Sequence, residues 1–160
     1  MTGLTLLSPL AGWAAPLEET PDPVFAERMM GDGLAIDPLG EALFAPCPGV
    51  VIKVHEARHA VTLRADNGAE ILMHIGLETV ALRGEGFEVH VADGQQVAAG
   101  DRLVSFDLDL LARRAKSLLS PVLVTNLEGL TLQVLRSGCE VAVGEPILLL
   151  TGAARTPRIR

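Results

Sequence analysis

Two ten-residue segments of the chain repeat one pattern. Gly94-Gln95-Gln96-Val97-Ala98-Ala99-Gly100-Asp101-Arg102-Leu103 and Gly138-Cys139-Glu140-Val141-Ala142-Val143-Gly144-Glu145-Pro146-Ile147 both read G-x-x-V-x-x-G-[D/E]-x-[L/I]. Each copy encodes a tight turn and then a strand with one inward valine. A weaker echo joins Pro9-Leu10-Ala11-Gly12 to Pro46-Cys47-Pro48-Gly49. A chain that carries one turn-and-strand unit twice is expected to pack two related β units about a pseudo-twofold axis within one domain. Gly 16 and Pro 10 in 160 residues punctuate the chain too often for a helical bundle. Short alternating runs fall between these turns: Val50–Val54, Val61–Arg64, Phe87–Val91, Leu103–Phe106, Val122–Thr125, Leu132–Leu135 and Ile147–Leu150. Strands at this spacing predict an all-β sandwich or barrel. A first strand is expected within residues 3–17. One helix is expected over Leu110–Lys116, capped by Asp107 or Asp109 with its cations at the C-terminal end. Pro121 bars its continuation, and a shorter helical turn is expected over Val24–Met30.

Composition excludes several functions. With 49% hydrophobic and 21% charged residues the chain is too apolar for disorder. The net charge is -7 and only Lys53 and Lys116 are lysines, so a basic grip on nucleic acid phosphates is absent. Cys47 and Cys139 show neither CxxC nor zinc-knuckle spacing and read as free thiols in a reducing compartment. No apolar run reaches the ~18–20 residues of a membrane helix. The first basic residue is Arg28, which leaves the early apolar stretch without the charged start of a signal peptide. A cytoplasmic protein is expected, with one domain over residues 1–151. Residues 152–160 read as a free tail or the start of a linker.

The histidines carry the chemistry. Asp66-Asn67-Gly68-Ala69 is a hairpin signal, since Asn-Gly suits a two-residue type I′ turn. With Asn67-Gly68 as that loop, Val61 is expected to face His74 and His59 to face Gly76. His59 and Val61 would share a face, which makes His59 and His74 diagonal neighbours roughly 7–8 Å apart at the backbone. Three readings fit two facing imidazoles. They are two unrelated histidines, one of them a satisfied core residue; or they belong to a zinc site, which needs three or four ligands; or one is a nucleophile and the other donates an N–H to an arriving phosphoryl oxygen. His55 and His90 read as surface residues. Gly76 lets backbone approach a ligand closely. Leu63, Leu72, Phe25, Met29 and Met30 form either an apolar docking rim for a protein or ordinary core.

Several stretches carry a family resemblance: Val24-Phe25-Ala26-Glu27, Gly31-Asp32-Gly33, His59-Ala60, His74-Ile75-Gly76-Leu77-Glu78-Thr79-Val80, Gly84-Glu85-Gly86-Phe87, Gly100-Asp101, Phe106-Asp107 and Thr125-Asn126. Over residues 5–150 the chain resembles the glucose-type enzyme IIA component of the bacterial phosphoenolpyruvate:sugar phosphotransferase system. The resemblance implies an antiparallel β-sandwich with a duplicated motif. It implies a phosphocarrier in which His74 is phosphorylated by the phosphocarrier protein HPr and passes the group to a cysteine of an enzyme IIB domain, free or in complex with membrane IIC. His59 is then the phosphate-stabilising partner, with Gly76, Glu78 and Val80 in support and Phe25, Met29, Met30 and Leu72 on the docking face. No cofactor is required, although His59 and His74 are able to pick up adventitious zinc. Fusion to HPr and enzyme I domains is one arrangement the family implies.

The chain departs from the family pattern at four places. Ala57 stands where the family usually has threonine, so His59 is expected to take its tautomer from a backbone carbonyl. Glu78 replaces an aspartate, and His55 and Leu72 replace aromatics. Two other functions compete. A zinc-dependent hydrolase of related duplicated β fold needs a third ligand. A biotinyl or lipoyl carrier needs a lysine at a hairpin tip, where this chain has Asn67-Gly68.

Overall fold

Each copy of the repeated motif closes a turn and hands its backbone to the other end of the chain. Gly94 and Gly138 donate their N–H groups to Val51 (2.7 Å) and Ala14 (2.8 Å). Gly100 and Gly144 donate to Ala45 (2.9 Å) and Ser8 (3.0 Å), and both take a left-handed φ, 86° and 89°, that glycine adopts without a Cβ clash. The acidic residue after each glycine folds back onto its own turn. Asp101 accepts from Ala98 N–H and Glu145 from Ala142 N–H, both at 2.8 Å. The Pro9 and Pro46 segments exchange hydrogen bonds across the axis, Leu7 to Pro46 and Phe44 to Pro9, each 2.9 Å. The duplication in the sequence is thus a pseudo-twofold in space.

These elements come from a computed structural model, which describes residues 3–154. The strands are β1 (Gly3–Leu7), β2 (Gly12–Pro16), β3 (Asp32–Pro38), β4 (Ala42–Phe44), β5 (Gly49–Val54), β6 (Ala60–Ala65), β7 (Glu70–His74), β8 (Phe87–Val89), β9 (Gln96–Val97), β10 (Arg102–Phe106), β11 (Ser120–Val124), β12 (Leu130–Val134), β13 (Cys139–Val141) and β14 (Pro146–Gly152). Two short helices join them, α1 (Pro23–Ala26) and α2 (Leu108–Arg114). Every strand pairing is antiparallel. One sheet runs β13-β2-β3-β11-β7-β6-β5-β9, and two smaller sheets, β1-β14-β12 and β4-β10-β8, pack with it. The main core between them draws Leu63, Ile71 and Met73 from the large sheet, Leu6 and Leu148 from the second, and Leu43 and Phe106 from the third. The protein is an antiparallel β-sandwich. Its other large-sheet face carries a small separate cluster, Leu17, Phe25, Ala60, Leu72, Leu77 and Leu123.

Several local expectations need correction. The early apolar stretch forms two strands, because residues 8–11 leave the ladder: Ser8 N–H donates to Glu145 C=O, the Ser8 carbonyl accepts from Gly144 N–H, Pro9 C=O accepts from Phe44 N–H and Ala11 C=O from Leu39 N–H. Asp107 caps α2, accepting from Leu110 N–H at 3.0 Å, while Asp109 pairs with Arg113. Helix α2 therefore starts at Leu108 and stops at Arg114, where Ala115 turns extended. Helix α1 covers four residues, with Asp22 accepting from Val24 N–H, and does not reach Met30. Strand β14 ends at Gly152, one residue beyond the expected boundary, and most of the expected tail, residues 155–160, lies outside the described residues. Among the described residues no helix is long and apolar enough to cross a membrane. Cys47 is buried, and burial, with Asp66 nearby, pushes its thiol up to about 12, which keeps it inert.

Candidate functional site

The β6–β7 hairpin sets the site, in a register one residue away from the expected one. Gly68 N–H donates to Ala65 C=O and Ala65 N–H to Ala69 C=O, so the loop is Asp66-Asn67-Gly68, three residues long, with Gly68 left-handed at φ 86°. This is the type I turn with a bulge rather than the two-residue type I′ turn. Ala60 therefore faces His74, Thr62 faces Leu72 and Val61 faces Met73. Strand alternation puts Leu72, His74 and Ala60 on the small-cluster face and Leu63 on the main-core face. Leu63 is fully buried and belongs to no rim.

His59 reaches His74 by a different route from the one expected. His55 N–H donates to Ala60 C=O, and Arg58, at φ 63°, turns the chain inside that closure. His59 sits in the turn, outside the ladder, and strand alternation does not bind its side chain. The two rings meet edge to face with centroids 4.7 Å apart. His55, expected at the surface, is half-buried, and its ring lies 6.1 Å from that of His59. It is a third imidazole beside the pair, missed because the turn geometry that brings it there depends on Arg58. His90 stays exposed on another sheet, bonded to Ser105 at 2.7 Å.

The two rings of the pair differ in how they hold their protons. His74 Nδ1 lies 2.6 Å from the Gly76 carbonyl, which only accepts, so Nδ1 carries the proton and Nε2 the lone pair. Gly76 makes this possible. It takes φ 68°, and a Cβ there would stand 2.9 Å from Thr79 Cγ2 and 3.2 Å from the Ser117 carbonyl. Ser120 Oγ accepts the Gly76 N–H at 2.9 Å and donates to Leu118 C=O, which pins the turn. Burial lowers the pKa of His74; the Gly76 bond opposes this, His55 adds to it and Asp22 opposes it. Burial, then His74 and His55, push His59 down to about 4, so it is neutral at pH 7. Its buried Nδ1 has no hydrogen-bond partner among the described residues. The expected backbone carbonyl is therefore not there. Since an orphaned buried N–H is the costlier arrangement, the His59 proton belongs on Nε2.

The surroundings divide into packed and open parts. The Phe25 ring lies 5.2 Å from that of His74 but is buried, as is Leu72 at 5% exposure; the expectation that Leu72 is an exposed docking residue fails because it fills the small cluster. Met29, Met30 and Val80 are open, at 70%, 43% and 57% exposure, and Val24 joins them. Glu78 is exposed, at φ 58°, at the head of the 3-10 turn Thr79–Leu82. No group of three or more potential metal ligands exists among the described residues, so the zinc expectation at His59 and His74 has no support, nor has the zinc hydrolase. Lys53 lies in β5 and Lys116 follows α2, which leaves the lysine-bearing carrier without its hairpin-tip residue.

Fold and site together define a duplicated β-sandwich that presents two neutral, edge-to-face imidazoles beneath an open apolar rim, an arrangement for exchange with another macromolecule. A model of the family described as phosphoenolpyruvate-dependent sugar phosphotransferase system, EIIA 1, matches residues 4–130, and the chain belongs to that family. It is 52% identical over 122 residues to the PTS system glucose-specific EIIA component of Bacillus cereus, covering 76% of this chain and 74% of that protein. It is 51% identical over 121 residues to the PTS system mannose-specific EIIBCA component of Corynebacterium glutamicum, of which it covers 18%. The solved glucose permease IIA from Mycoplasma capricolum superposes with a TM-score of 0.89 at 41% identity, covering 93% of this chain and 96% of that one. The protein is a phosphocarrier component of the sugar phosphotransferase system.

Proposed function

We propose that His74 Nε2 is the atom that carries the phosphoryl group. Its lone pair attacks phosphorus on the phosphohistidine of HPr; the donor P–N bond breaks and its electron pair stays on the donor ring. Nδ1 keeps its proton on the Gly76 carbonyl, so the phosphorylated ring is a cation and a good leaving group for the next transfer, to a cysteine thiolate of a IIB domain. His59, protonated at Nε2, donates to the phosphoryl oxygens. The apolar side chains of Met29, Met30, Val80 and Val24 seat the partner, with Phe25 beneath His74 and Glu78 at the rim. The observation that carries this reading is the His74–Gly76 hydrogen bond, which engages Nδ1 and leaves Nε2 as the nitrogen with a free lone pair.

The same site serves a free carrier, one fused to IIB and IIC as in the mannose-specific EIIBCA relative, or one fused to HPr and enzyme I. The sugar is set by the membrane partner. With enzyme I, HPr and phosphoenolpyruvate, the chain should gain one acid-labile, base-stable phosphoryl group, and His74→Ala should gain none. Full labelling of His74→Ala would overturn the assignment.

A further inference from the structure

Strand register places a second group of exposed side chains on the His74 face of the large sheet. Leu72 pairs with Leu123, Leu123 with Gly33, and Asp37 with Trp13, without a bulge in β11, β3 or β2. Leu72, His74, Gly33, Ala35, Asp37 and Trp13 therefore share one face. Trp13 is 50% exposed, and Leu39, just past the end of β3, is 67% exposed. Directly opposite Trp13 stand Asp37 on one side and Glu140 on the other. Cross-strand partners lie about 5 Å apart, so a carboxylate flanks each side of the indole. Both carboxylates are exposed, and neither has an ion pair or a side-chain hydrogen bond among the described residues.

Three strand steps separate β2 from β7, about 14 Å, and Trp13 lies two residues further along, about 7 Å. A partner centred on His74 with a standard interface of about 800 Å² per side reaches that far at its edge. We infer that Trp13, Asp37 and Glu140 form an outlying contact for a guanidinium or ammonium group of the phosphoryl donor HPr while it is seated over His74. An indole face between two carboxylates suits a cation, a planar arginine best. The donor is the occupant because, where it comes from solution, a contact at the edge of the His74 footprint speeds its docking, whereas IIB is tethered in the EIIBCA relative and needs less help to find the site.

This inference rests on the phosphocarrier reading. Trp13 is the only tryptophan of the chain, so its emission reports the contact directly. Adding HPr to the intact protein should shift that emission, with a half-saturation that rises with salt. Asp37→Asn together with Glu140→Gln, both exposed, should weaken binding about fivefold and flatten the salt dependence. Trp13→Ala should raise KM for phospho-HPr about fivefold with kcat unchanged. The contact is refuted if emission stays fixed while His74 is phosphorylated by the same HPr, if only IIB moves it, or if it follows the protein's own concentration and so reports self-association. If the wild-type protein takes no phosphoryl group at all, the phosphocarrier reading fails instead.

Discussion

Replacing Gly76 by alanine tests how the fold holds the His74 tautomer. The residue sits at φ 68°, where an L side chain costs about 1–2 kcal/mol. The new Cβ would stand 2.9 Å from Thr79 Cγ2, a methyl that can swing away only by giving up the Thr79 hydroxyl bond to Ile75 C=O. It would also stand 3.2 Å from the Ser117 carbonyl, which is itself held by Leu77 N–H. Adding a strained neighbour or a weakened hydrogen bond of about 1 kcal/mol brings the loss to ~2–3 kcal/mol, or about 5–10 °C in Tm for a chain of this size. The larger effect is chemical. Relief of the clash moves the Gly76 carbonyl away from His74 Nδ1, so the proton redistributes between the ring nitrogens and the nucleophilic lone pair is no longer fixed on Nε2. Phosphorylation by HPr should slow by about 100-fold, the low end for one positioned acid–base group. Thermal unfolding gives the first number, rapid-quench labelling the second, and histidine nitrogen shifts the tautomer. A Gly76→Ala protein that keeps the Nδ1–H tautomer and labels at the wild-type rate would refute the reasoning.

Leu72→Ala should cost ~2–4 kcal/mol by chemical denaturation, the price of a cavity in the small cluster, and Leu72→Asp should fail to fold rather than merely weaken HPr binding; a folded Leu72→Asp would show the cluster is not structural. His59→Gln keeps a donor but cannot take a proton, so acceptance from HPr should survive while donation to IIB slows ~10²-fold; equal loss in both half-reactions, measured by rapid quench, would contradict that asymmetry. The folded His59 pKa of about 4 lies below its ordinary 6.5, so the unfolded chain binds the extra proton between these values. Stability is therefore full above pH 6.5 and falls as the pH drops towards 4. At about 1.4 kcal/mol per tenfold in proton affinity, discounted for the solvent that the ring edge still meets, this amounts to ~2–3 kcal/mol. His59→Gln should remove that part of the slope, and an unchanged slope would place the buried neutral imidazole elsewhere.

The sequence made the duplication legible because it is written in glycines: Gly100 and Gly144 occupy equivalent left-handed positions, and only a few residue types serve there. The pairing of His59 with His74 was legible from the hairpin and the family pattern together, though for a partly mistaken reason. Asn67-Gly68 signals a tight turn but does not say whether the loop has two residues or three, and that single residue inverts every side chain in the ladder. It is why Leu63 reads as a rim residue in sequence and lies in the main core of the structure; Leu72 shares the His74 face in either register and is buried because the small cluster covers it there. Position 59 escaped the error because Arg58 takes a left-handed φ without being a glycine, and no local signal announces that. The same turn hides the approach of His55. The orphaned His59 Nδ1 depends on which groups surround it in space, although Ala57 gave the hint that a hydroxyl partner would be missing.

The central claim is that His74 reacts through Nε2 because Gly76 holds the proton on Nδ1. Nitrogen-15 labelling of the histidines, followed by phosphorylation with enzyme I, HPr and phosphoenolpyruvate, reads this directly through phosphorus–nitrogen coupling. One phosphorus should couple to His74 Nε2, with Nδ1 still protonated. Phosphorus on His74 Nδ1, or on His59, would contradict it.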